Sequence, residues 1–123
     1  MPRSAARRHR ASFCNGFLRV YELTDDGGAR WDTFWGWVAA RIPEGPLWHL
    51  DSVGVDPAAQ GRGIGSSLVE FGVTQAHAAG VAAVLETGSA RNVPLYERLG
   101  FSIIDEVDAP EGGPHTWFMR ADP

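Results

Sequence analysis

The sequence predicts an α/β fold, a mixed central sheet flanked by helices, and three observations carry the prediction. Short apolar runs suited to strands alternate with stretches whose apolar residues recur at helical spacing. Their order along the chain is β, α, β, α, β, α, β, β. Clusters of glycine, proline and aspartate separate them, as turns require.

Phe17 to Leu23 reads as a first strand, closed by the turn signal Asp25-Asp26-Gly27-Gly28. Trp31, Phe34, Trp35 and Val38 follow with helical spacing and stop at Ile42-Pro43, which predicts a helix. Leu47 to Val55 reads as a second strand. After a glycine-rich turn, Ile64, Leu68 and Phe71 form one apolar stripe and Val69, Val73 and Ala76 another. Two adjoining stripes predict a helix buried broadly against a sheet, capped at Gly80.

Val81 to Leu85 is continuously apolar, as in a strand covered on both faces. A short helix from Val93 to Leu99 carries Pro94 in its first turn and stops at Gly100. Phe101 to Ile104 and Thr116 to Met119 complete the sheet as strands, joined by the turn at Gly112-Gly113-Pro114.

Composition excludes several classes. With 123 residues, 44% of them hydrophobic, one small domain can bury a core. A net charge of −4 argues against general nucleic-acid binding, which calls for a basic surface. No apolar run approaches the roughly 20 residues of a membrane helix. The single cysteine, Cys14, forms no internal disulfide, no Cys/His cluster has metal spacing, and a reducing cytoplasm is the expected location. Residues 1–12 carry Arg3, Arg7, Arg8, His9 and Arg10 without acids. They read as a basic disordered tail rather than a targeting peptide, for want of an amphipathic repeat, and residues 13–123 read as a single domain.

Function concentrates in Val53 to Ser66, VGVDPAAQGRGIGS. Gly61, Gly63 and Gly65 surround Arg62 where a helix begins, so backbone N–H groups stand free of Cβ bulk at the positive end of the helix dipole. That is an anion site suited to phosphate. A Walker loop is excluded because the chain has no lysine. Gly61, Gly63 and Ser66 nearly spell a dinucleotide fingerprint, but five residues separate the strand from the first glycine and no second βαβ unit follows.

The pattern Gln60, Gly63, Gly65 resembles the acetyl-CoA pyrophosphate loop of the GNAT acyltransferases. A second segment strengthens the likeness: Leu85-Glu86-Thr87, then Arg91-Asn92-Val93-Pro94-Leu95-Tyr96-Glu97-Arg98-Leu99-Gly100-Phe101. Residues 48–119 resemble most the C-terminal half of the puromycin N-acetyltransferase branch. The resemblance implies a GNAT fold, acetyl-CoA as co-substrate without a metal, and a small-molecule amine as acceptor. It places pantetheine against the backbone of Val53 and Val55, and pyrophosphate on Gln60, Gly61, Arg62, Gly63, Ile64, Gly65 and Ser66. Tyr96 is then the expected proton donor to the thiolate. Asn92 is expected to contact the cofactor, to cap its helix, or both.

For the general base, Glu86, Asp51 and His49 are all candidates near strand ends, with Glu86 put forward as catalytic. The family begins with a strand and two helices, whereas fewer than fifty residues precede Trp48 here, so the acceptor half is expected to be abbreviated. Trp31, Phe34, Trp35 and Trp37 line a pocket for a flat acceptor, or else serve as core or as contact with a second copy in a homodimer. The alternative function is a non-catalytic CoA-binding module or an inactive, truncated acetyltransferase.

Overall fold

The computed structural model describes residues 21–123. The basic tail, Cys14 and the first part of the predicted strand from Phe17 lie outside the described residues.

The rest of that strand is corrected, because Tyr21 to Leu23 are helical. The Thr24 hydroxyl donates to the Tyr21 carbonyl at 2.9 Å and closes the turn. Seven residues are too few to separate a period of 2 from one of 3.6.

Helix α1, Ala29–Arg41, starts after Gly28, whose φ of 88° lies in the left-handed region. The Asp26 carboxylate accepts from the Arg30 and Gly28 amides at 3.0 Å each, which satisfies two N–H groups beside the helix start. Those bonds, the Arg30 amide's foremost, hold the Asp26 carboxyl down at about 2. The helix ends where Ile42, the residue before Pro43, turns extended.

Gly28 is needed twice over: a Cβ there would collide with the Tyr21 ring, and its φ disfavours any L side chain. Gly28→Ala is therefore expected to destabilise the protein by about 1–3 kcal/mol, measured by thermal unfolding.

Four strands form one sheet, β1 Leu47–Leu50, β2 Ala82–Thr87, β3 Ser102–Asp108 and β4 His115–Ala121, in the order β1-β2-β4-β3. β1 pairs parallel with β2, and the other two pairs are antiparallel, so the mixed sheet holds. Strand β3 is longer than predicted and carries an irregularity between Ile103 and Asp105.

Helices α2, Ile64–Ala78, and α3, Val93–Arg98, follow the glycine turn and β2 respectively. Alternation along the strands sends Ala83, Leu85, Met119 and Ala121 to one face, where they pack with Val69 and Ala76 of α2, Tyr96 of α3, and Phe101. The other face carries α1: Trp37 meets Phe118 edge-on at 5.6 Å, and Arg41 pairs with Asp105 at 2.9 Å.

The broad burial predicted for α2 is corrected. Val69 and Ala76 are buried, but Leu68 and Phe71 are 51% and 65% exposed. They and Trp48 border an apolar groove of about 500 Å³. β1 is the last strand of the sheet on that side among the described residues, so no neighbouring strand covers the outer stripe. Among the described residues no helix is long and apolar enough to cross a membrane.

Candidate active site

The site forms where β1 and β2 part. Their ladder runs from Leu47↔Ala82 to Leu50↔Leu85 and stops. β2 continues through Glu86 and Thr87, paired only with Phe118 and Trp117 of β4. The predicted strand to Val55 is thus corrected to end at Leu50. A sequence suited to a strand stays out of the ladder when no partner edge lies beside it. Residues 51–56, Val53 and Val55 among them, run unpaired along one side of a seam.

The loop that follows is locked by its own side chains. Asp56 accepts from the Ala58 amide at 2.8 Å, and the Gln60 carboxamide donates to the Val55 carbonyl at 3.1 Å. Gly61 and Gly63 take φ of 77° and 79°, with open space where each Cβ would lie. Gly63 is the N-cap of α2, with no side-chain cap and no acid in the first turn. The Ser67 amide bonds to the Gly63 carbonyl at 3.0 Å. The amides of Ile64, Gly65 and Ser66 precede it and have no helical acceptor to use. Arg62 is exposed between the two left-handed glycines. Bare amides, room for close approach and a guanidinium together fit a phosphate group.

Asn92 precedes α3 as its N-cap, but its side chain makes no capping bond, so the capping role is corrected. Pro94 and the Tyr96 amide, bonded to the Asn92 carbonyl at 3.1 Å, start the helix without it. Tyr96 is buried, its ring edge-on to Phe101 at 6.0 Å. Burial, and then the negative charge of Glu86, push its phenol above the ordinary value near 10. Tyr96 therefore carries its proton throughout the neutral range.

The structure joins two of the three candidate bases. His49 Nε2 lies 2.7 Å from Glu86 Oε2 across the seam, with the Glu86 side chain only 6% exposed. That hydrogen bond pushes the His49 imidazole up from its ordinary value, burial works against it, and the charges of Glu86 and Asp51 add to the rise. With Nε2–H donated to Glu86, a neutral His49 leaves Nδ1 as a proton acceptor. The pairing links residues 37 positions apart, and the sequence carries no local signal for it. Asp51 stays exposed, and none of the ion pairs or hydrogen bonds among the described residues involves its carboxylate.

The α1 aromatics divide in role. Trp37 packs on the sheet against Phe118, with the Arg41 guanidinium 4.9 Å from its ring centre. Trp31 and Trp35, 5.6 Å apart, line a small hollow of about 120 Å³ with Asp51 and Ser52. The same two tryptophans also line a hollow of about 410 Å³ with Phe34, Pro110 and Pro114. Spacing identified the helix but not which aromatics face the β1 end.

Comparison with known proteins agrees with this architecture. The sequence profile of the acetyltransferase (GNAT) family matches residues 6–101. Mycothiol acetyltransferase of Catenulispora acidiphila is 39% identical over 62 residues, 48% of this chain and 20% of that protein. Mycothiol acetyltransferase of Mycolicibacterium vanbaalenii is 31% identical over 108 residues, 80% of this chain and 34% of that protein. The chain therefore spans about a fifth to a third of the length of these curated relatives. A solved structure from Corynebacterium glutamicum, described as histone acetyltransferase HPA2 and related acetyltransferase, is similar with a TM-score of 0.60. That match has 34% identity and covers 76% of this chain and 51% of the other.

Proposed function

The chain belongs to the GNAT acetyltransferase family, and from that premise we propose that it transfers an acetyl group from acetyl-CoA to the primary amine of a small molecule. The observation that carries this reading is the uncapped start of α2 beside the open seam. The small-molecule acceptor is supported by relatives named for mycothiol.

Acetyl-CoA supplies an activated acyl carbon and a thiolate leaving group. In this reading the backbone of Val53 and Val55 aligns the pantetheine. The Val55 carbonyl is already taken by Gln60, so Val55 offers its N–H. Gln60 contributes by shaping the loop, while Gly61, Gly63, Ile64, Gly65 and Ser66 present main-chain groups to the pyrophosphate and Arg62 adds a full charge. Asn92, exposed and uncapping, is free to reach the same ligand.

The amine must be deprotonated to attack, and His49 Nδ1 takes that proton. Glu86 acts through His49: it fixes the tautomer and stabilises the imidazolium that forms. As the new C–N bond forms and the C–S bond breaks, the Tyr96 hydroxyl gives its proton to the departing sulfur, and the second proton that leaves the amide nitrogen restores the phenol. Its raised pKa makes this transfer uphill to a thiol near 8.5, so it depends on close placement rather than acidity.

Calorimetric titration with acetyl-CoA tests the site. The wild-type chain is expected to bind in the micromolar range and Arg62→Ala about tenfold more weakly, the effect of one charge-assisted contact at an exposed position. A folded chain that takes up no acetyl-CoA would overturn the reading.

A further inference from the structure

Resting on the acyl-transfer reading above, we propose that Asp51, walled by Trp31 and Trp35, is a subsite that receives the acceptor as an ammonium ion before His49 takes its proton. The Asp51 carboxylate is exposed, and none of the ion pairs or hydrogen bonds among the described residues uses it. It lines the hollow of about 120 Å³ with Ser52 and the two tryptophans. A carboxylate that shares the lining of a hollow with two indole rings favours a compact organic cation: charge attracts charge, and aromatic rings attract the same cation through their quadrupoles.

Position along the chain gives the subsite its role. Asp51 stands two residues after His49, and both line the groove of about 500 Å³. An ammonium held at Asp51 is thus delivered beside the base that must deprotonate it. Loss of the proton removes the charge that held it, so the nitrogen is released from the carboxylate as it becomes a nucleophile. The proton passes from nitrogen to His49 Nδ1, and the positive charge is then balanced by Glu86.

Size defines the class of acceptor. The small hollow holds an ammonium head and little more. The rest of the molecule lies in the hollow of about 410 Å³ that shares Trp31 and Trp35 and adds Phe34, Pro110 and Pro114, with Asp26, Arg30 and Glu111 also in its lining. The fitting substrate is a cationic primary amine on a flat or apolar scaffold. One carrying its own carboxylate beside the amine is repelled by Asp51. Trp35 lines this wall with its Nε1–H buried and without an acceptor among the described residues, an unfavourable placement for a polar group.

The test is titration of the protein with benzylamine near pH 7.5, without acetyl-CoA, read by tryptophan fluorescence, with benzyl alcohol as the uncharged control. Wild type is expected to bind benzylammonium at least about tenfold more tightly than the alcohol, and Asp51→Asn is expected to lose that preference. Trp35→Leu should weaken the cation with Asp51 intact, and circular dichroism checks that both variants fold. Equal affinity for cation and alcohol, no benzylammonium binding, or a preference that survives in Asp51→Asn would overturn the proposal. Acetyl-CoA titrated into the same samples separates the readings: cofactor binding without cation preference removes this subsite only, and absent cofactor binding removes the acyl-transfer reading.

Discussion

Tyr96→Phe is expected to lower turnover by about 10²- to 10⁴-fold while leaving acetyl-CoA affinity within about twofold, the pattern of a lost general acid. The substitution keeps the ring on Phe101 and removes only the hydroxyl, so packing is preserved. Burial of the ring at the side of the core helps to hold the phenol protonated. Initial-rate kinetics with an amine that the enzyme accepts, beside acetyl-CoA titration, measure both quantities. Unchanged turnover would remove the proton donor from the mechanism. A chain that binds acetyl-CoA yet turns over no amine in either form would be a binding module.

His49→Asn is expected to reduce kcat by about 10²- to 10⁴-fold, and Glu86→Gln by less, because the second keeps the imidazole. The two differ most clearly in pH dependence. Glu86 raises the His49 pKa, so wild-type activity should rise through a value above the ordinary imidazole figure of about 6.5. Glu86→Gln should move that acidic limb to lower pH, and His49→Asn should abolish it. A limb unmoved in Glu86→Gln would exclude the pair from catalysis.

Stability follows the opposite course. A group whose folded pKa is raised stabilises fully below its unfolded pKa, here about 6.5, and the contribution fades as pH rises through the higher folded value. Wild type should therefore lose a stabilising increment over the pH range in which it gains activity. Glu86→Gln should flatten that loss in thermal melts taken across the range.

What was legible in the sequence was local. Gly61-Arg62-Gly63 before an apolar-periodic stretch specifies a helix start with bare amides, and Pro94 with Gly100 brackets α3; both were found where expected. The family resemblance rests on those same two segments. What could not be read depends on partners far along the chain. β1 stops at Leu50 because β2 pairs no further, and no property of residues 51–55 announces that. Leu68 and Phe71 have the spacing of buried residues and lie exposed because the sheet edge beside them is uncovered. His49 and Glu86 were each plausible alone, but only the parallel register that places His49 beside Val84 brings them together. Asn92 had the right identity for a cap and an unneeded one.

The parting of β1 and β2 gives this fold a stability that depends on what fills it. Backbone groups that lack a strand partner gain one when an extended amide-bearing ligand lies between them, and such a ligand favours the folded chain over the unfolded one. At a concentration 100 times its dissociation constant the gain is about 2.7 kcal/mol, a large share of the roughly 5–15 kcal/mol that holds a small domain together. A cell rich in acyl-CoA would then keep more of this chain folded and spare it from proteolysis, while a starved cell would lose it. On the acyl-transfer reading proposed above, abundance of the protein would follow supply of its donor through the gap in its sheet.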